Sequence, residues 1–198
     1  IATLDTTAAA VEDNQPRVYQ KFILPTEEKG KLTAIAFQNE EQFNFAFDIV
    51  DELGRNKPEK LAMLHISEDG TERRLTFQDM KKESARAANY FKSMGIKRGD
   101  RVMLVLKRHY QFWFAILGLH KLGAIAIPAT NQLLEKDFVY RFEAGNVKAI
   151  LCTADGDTAR QVELAEQETG MKITKVMVGG SRDGWHDYDQ EFPLFSRR

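Results

Sequence analysis

Four histidines, one cysteine and 29 Asp plus Glu residues set the range of chemistry open to this 198-residue chain. His109 and His120 share a predicted helix face, but eleven positions of helix hold them roughly 16 Å apart. His65 falls in a strand-like run and His186 near the carboxyl end, so no pair has the close spacing of zinc ligands and no metal site is expected. Cys152 follows Ala149-Ile150-Leu151 and reads as a small buried hydrophobe, since a catalytic thiolate needs a base beside it. Asp48, Asp51 and Glu52 invite a paired-carboxylate reading, yet the solvated face of a first helix accounts for them. Gly179 and Gly184 have P-loop spacing, but Trp185-His186 stands where that motif needs Lys and Ser/Thr, so Gly179-Gly180 is read as a turn. The dinucleotide fingerprint is absent as well.

Three further clusters carry two readings each. Phe112-Trp113-Phe114 is a stacking platform for bases or, with Ile116, Leu117 and Leu119, a core helix; no basic stripe accompanies it, which favours core. Lys107-Arg108 caps a strand end or reaches a phosphate. Thr130-Asn131-Gln132 caps a helix or faces a ligand at a sheet's carboxyl edge.

These residues must be positioned by regular elements, and from Phe43 onward the pattern is regular. Phe43, Phe47, Val50 and Leu53 have helical spacing, with Gly54 as the stop. Leu61 to Ile66 and Arg73 to Thr76 form a hairpin around Asp69-Gly70. Thr76 caps a helix with Asp79 three residues on; Phe77, Met80, Ser84, Ala87, Phe91 and Met94 make its apolar face, and Gly95 closes it. Strands at 102–106, 124–127, 149–151 and 173–178 then alternate with helices at 110–122, 135–143 and 158–168. Phe138, Val139 and Phe142 face inward. Alternation at that spacing predicts an α/β fold, a mostly parallel sheet with helices on both faces. Residues 1–41 form an arm: Thr6-Thr7 and Ala8-Ala9-Ala10 lead to a short strand, Arg17 to Leu24, bounded by Pro16 and Pro25. Residues 42–198 form the α/β body. Trp185, Tyr188, Phe192 and Phe195 end the chain with an aromatic face that either awaits something downstream or folds back on the sheet. Exposed Trp185 and Phe192 would mark a cut domain interface or a dimer contact.

Lys plus Arg total 28, giving a formal net charge of −1 with the signs well mixed, so neither nucleic acid nor an anionic membrane is expected as partner. The longest apolar stretch, Phe112 to Leu119, is too short to span a bilayer. A single cysteine fits a reducing compartment, and with no secretory signal in Ile1 to Ala10 a cytoplasmic location is expected.

Five stretches in order resemble the amino-terminal part of AMP-forming acyl-CoA synthetases. They are Phe43-Asn44-Phe45-Ala46 with Asp48; Gly95 through Val102; Leu122 through Thr130; Tyr140-Arg141 with Lys148-Ala149-Ile150; and Asp183-Gly184-Trp185. The last two point to the medium-chain branch of these adenylate-forming ligases and to fatty acid metabolism. The resemblance implies a two-step reaction in which a carboxylic acid and ATP give acyl-adenylate and pyrophosphate, with Mg²⁺ shielding the phosphates, before CoA displaces AMP. It implies ATP, CoA and Mg²⁺ for the full-length parent. It places Gln132 near the acyl and CoA groups, and makes Gly99, Asp100 and Pro128 turn and strand-end residues. The family's Ser/Thr/Gly-rich phosphate loop and its catalytic lysine fall later in the chain than these 198 residues. This chain is therefore expected to be an amino-terminal fragment without catalytic residues, whose partner is the remainder of its own polypeptide. The alternative is a non-catalytic α/β binding or interaction module.

Overall fold

The computed structural model describes residues 17–198. The Thr6-to-Ala10 run and Pro16 lie outside them. One compact unit ends at Gln42 and a second spans Phe43–Arg198. In the first, the strand expected over Arg17 to Leu24 is replaced by a 3-10 turn, Val18–Lys21, and a hairpin of β1 (Ile23–Glu28) and β2 (Lys31–Phe37). Pro25 sits inside β1 rather than ending it, because a strand of a two-stranded ribbon has one side free of ladder bonds.

The second unit opens with a π-helical segment, Phe45–Asp51, running into α1 (Glu52–Asn56). Asn44 caps the segment, accepting from the Ala46 amide at 3.0 Å, while its own side-chain amide donates to the His120 carbonyl at 2.7 Å. Gly54 does not stop this helix. It lies inside it, where an added Cβ would stand 2.8 Å from the Phe77 carbonyl oxygen. Next come β3 (Leu61–Ile66), β4 (Glu72–Thr76) and α2 (Phe77–Ser93), whose first turn is closed by the reciprocal Thr76–Asp79 box. Five strands and four helices follow: β5 (Arg101–Val105), α3 (Gln111–Leu122), β6 (Ile125–Pro128), α4 (Glu135–Gly145), β7 (Val147–Thr153), α5 (Thr158–Thr169), β8 (Thr174–Val178), β9 (His186–Asp187) and α6 (Tyr188–Glu191).

β5 to β9 form one parallel sheet in the order β6-β5-β7-β8-β9. Val102–Val105 of β5 and Ala149–Cys152 of β7 are unbroken apolar runs because both faces are covered there. Val102, Leu104, Ala149 and Leu151 pack against α2 and α3, whereas Met103, Val105, Ile150 and Cys152 pack against α4 and α5. α2 and α3 meet closely at Gly118, where a Cβ would lie 2.6 Å from that of Ala87.

The acidic face expected at the first helix is corrected by this packing. Asp51 is 5% exposed and pairs with Lys121 of α3 at 2.8 Å. The exposed Phe192 expected at the carboxyl end is corrected too: the ring is buried, stacked on Phe114, and Tyr188 packs edge-on against Tyr90. Trp185 is half-buried and donates its Nε1 proton to Glu163 at 2.8 Å. The aromatic residues fold back because α2 offers them a buried aromatic seat at Tyr90.

Candidate functional site

From β5 the chain crosses one face through α3 to reach β6; from β6 it crosses the other face through α4 to reach β7. β5 and β7 are therefore neighbours whose carboxyl-end loops depart to opposite sides, the arrangement that opens a ligand crevice in such sheets. Lys107 after β5 and Asp155 after β7 bridge that point at 3.3 Å. Lys107 is thus engaged at the strand end, and Arg108 beside it is exposed.

A cleft of about 450 Å³ lies at the ends of β5 and β6 against β3. Its walls are mainly apolar, with Met63, Leu64, Leu106, Phe112, Trp113 and Pro128 among them. Lys107, Arg108, His65 and His109 supply the polar lip. The core reading of the aromatic trio holds for Phe114; Trp113 is 51% exposed and turned to the cleft. His65 Nε2 lies 3.0 Å from the Arg108 carbonyl oxygen, and since a carbonyl only accepts, that nitrogen carries the proton. Burial holds the His109 imidazole below its ordinary pKa, so it is neutral near pH 7 although Asp155 and Asp189 pull the other way. Tyr110 sits at the margin, with the Arg73 guanidinium 4.1 Å above its ring and the His65 ring edge-on at 5.4 Å.

The structure sets Gln132 in the loop after β6, exposed, with its amide donating to Thr130 Oγ1 at 3.2 Å. The loop is tied down by Thr158 Oγ1, which donates to the Asn131 carbonyl at 3.1 Å. Gln132 lies three positions past Ala129, the last residue of this loop that lines the cleft. Asp100 is at the opposite, amino end of β5, where Lys148 holds its carboxylate below the ordinary range. His65, Arg73 and Tyr110 were missed in the sequence because hairpin and helix meet only in the tertiary structure. The arrangement suits a molecule with an apolar body and an anionic group. Cys152 offers no thiolate, since burial pushes its pKa up to about 12. Among the described residues no three His, Cys, Asp or Glu side chains gather to hold a metal.

Residues 50–193 match the profile of the AMP-binding enzyme family. The chain belongs to that family. Its relatives in the family include the mitochondrial acyl-coenzyme A synthetase ACSM5 of Rattus norvegicus, 35% identical over 155 residues, and mitochondrial ACSM1 of Mus musculus, 33% identical over 156. Each alignment covers 75% of this chain, and the chain spans about a quarter of either relative, 26% and 27%. The fold matches the anthranilate CoA ligase AuaEII solved with anthranoyl-AMP, with a TM-score of 0.65 over 79% of this chain and 29% of that one at 22% identity. An acyl-CoA synthetase of Brucella canis gives 0.63 at 25% identity, covering 79% and 28%. The family thus carries the parallel α/β sheet described above, and no helix among the described residues is long and apolar enough to cross a membrane.

Proposed function

We propose that this chain is the amino-terminal part of an ATP-dependent acid–CoA ligase. The carboxylate oxygen of the acid attacks the α-phosphorus of ATP, pyrophosphate leaves, and the CoA thiol then displaces AMP from the acyl-adenylate to form the thioester. The observation that carries this reading is the apolar cleft with a cationic lip at the carboxyl ends of β5 and β6, in a chain of the AMP-binding family. In it the walls from Phe112, Trp113 and Leu106 take an acyl or pantetheine chain, Arg108 faces an anionic group of ATP or CoA, and Gln132 contacts the acyl and CoA groups from the loop after β6. The acid belongs to the medium-chain class, which assigns the protein to fatty acid metabolism.

Mg²⁺ travels with the ATP phosphates. The phosphate loop and catalytic lysine are proposed to be supplied by polypeptide beyond these residues, so that the 198-residue chain alone does not turn over. The proposed compartment is a reducing one, which covers both the cytoplasm expected from the sequence and the mitochondria of the named relatives. The binding-module reading keeps one observation, that no Ser/Thr/Gly-rich loop ending in Lys occurs in the 198 residues.

The test is octanoate-dependent pyrophosphate release with ATP, Mg²⁺ and CoA, run on the longest open frame containing this chain and on the chain alone. Octanoyl-CoA formed only by the longer protein, with the KM for CoA raised several-fold by Arg108→Glu, is the expected result. No acid-dependent pyrophosphate from the longer protein, over a panel of aliphatic and aromatic acids, would hand the chain to the binding-module reading.

A further inference from the structure

The hairpin of β1 and β2 has two free edges, and they differ in what they offer. The Gln38 amide donates to the Phe22 carbonyl at 2.8 Å, so these two form a hydrogen-bonded pair of the ladder. Bonded and non-bonded pairs alternate from there: Leu24–Ala36 is bonded, while Ile23–Phe37 and Pro25–Ile35 are not. The backbone groups of those last four residues therefore point outward. On β1 the outward row is broken, because Pro25 has no N–H. On β2 it is whole. Ile35 and Phe37 each present an N–H and a C=O, and no group among the described residues takes them. Every residue of β2 is exposed, Ile35 at 47% and Phe37 at 59%.

Proline is one of the devices that blunt a sheet edge against further pairing, and only β1 carries it. The charges beside β2 are sorted by end. Lys29 and Lys31 stand at the hairpin tip, and Glu40 and Glu41 follow the strand at its other end. None of these four has an ion-pair partner among the described residues. Glu27 and Glu28 belong to β1 and lie behind β2 as seen from its free edge. An antiparallel copy of β2 laid along that edge, with Ile35 opposite itself, sets Lys29 and Lys31 beside Glu40 and Glu41 of the other copy. The two-fold axis repeats the match at the far end. A parallel copy would set like charges together instead.

We propose that the free edge of β2 is a self-association surface, on which a second copy of this chain pairs its own β2 antiparallel about Ile35. The product is a four-stranded sheet, which meets the need of a lone hairpin for further strands. Ile23, Pro25, Ile35 and Phe37 share one face of each hairpin, so the paired sheet joins two apolar rows into one. The proposal does not rest on the ligase reading.

Sedimentation velocity of the 198-residue chain from about 1 to about 500 µM is the test. A shift from 22.6 kDa to twice that mass is expected, with a dissociation constant of about 10–100 µM for so small a seam. Ile35→Lys should weaken the dimer at least about tenfold, since it sets two ammonium groups together at the axis. Lys29→Glu with Lys31→Glu should also weaken it, and adding Glu40→Lys and Glu41→Lys to that chain should restore it. Under oxidation Ile35→Cys should give a disulfide-linked dimer, because directly opposed residues of a bonded pair lie about 5.5 Å apart. Ile23→Cys, on the other edge, should not, and the native Cys152 is buried and does not compete. A monomer at every concentration would overturn the proposal. So would a dimer that tolerates Ile35→Lys, one that the fourfold charge reversal fails to restore, or equal cross-linking through Ile23→Cys.

Discussion

At the scale of single residues, Asp51 and Lys121 form the most buried ion pair among the described residues. Their side chains are 7% and 5% exposed, and Lys121 also donates to the Lys81 carbonyl at 3.2 Å, so one ammonium joins three helical segments. Burial pulls the Lys121 pKa down, and the Asp51 partner opposes that pull. Removing one member leaves a buried charge uncompensated. Asp51→Ala is expected to cost about 3–5 kcal/mol, whereas Asp51→Leu with Lys121→Met should be close to neutral. Urea unfolding of the three chains checks this; a single variant as stable as the parent would show that water reaches the pair. The sequence gives no hint of the burial, since an i, i+3 acidic pattern reads the same on a solvated helix as on one capped by another helix.

At the scale of elements, α5 and the turn before β9 are clasped by Glu163. Its carboxylate accepts from Arg182 Nε and a terminal guanidinium nitrogen at 2.7 Å each, and from Trp185 Nε1 at 2.8 Å. The Arg182 bonds first, and the indole second, hold its pKa below the ordinary 4.5. With the folded value depressed, the clasp contributes fully above the unfolded pKa and is lost as pH falls through the lower folded one. In a Trp113→Phe background, Trp185 emission should stay constant as pH falls to about 4.5 and change only below it. Glu163→Gln should remove the transition. A change centred above 4.5 would contradict the assigned sign.

Across the whole molecule, the two units differ in how much water they exclude. Nearly every residue of β1 and β2 is exposed, and a lone two-stranded hairpin is marginal in water, whereas β5 and β7 are buried on both faces. Limited trypsin digestion is expected to cut after Lys29 or Lys31, at the hairpin tip, before any bond between Arg101 and Val178. Mass spectrometry of the early fragments decides it, and first cuts within the sheet would reverse the order of stability.

The sequence by itself determined the α/β alternation, the Leu61–Ile66 strand, the Thr76–Asp79 cap and the family membership, because periodicity, capping and ordered motifs are local properties of a chain. It also placed the Gln132 loop at the carboxyl edge of the sheet, since a strand followed by a polar loop is a local pattern too. Only the tertiary structure decided that Asp51 is buried, that Gly54 is a contact point and that the terminal aromatic residues fold back. Those outcomes depend on partners far along the chain: Tyr90 donates to Glu191 across 101 positions, and Asn44 to His120 across 76. The crossovers that bring such residues together follow from the order of strands in the sheet. No window of a few residues encodes that order.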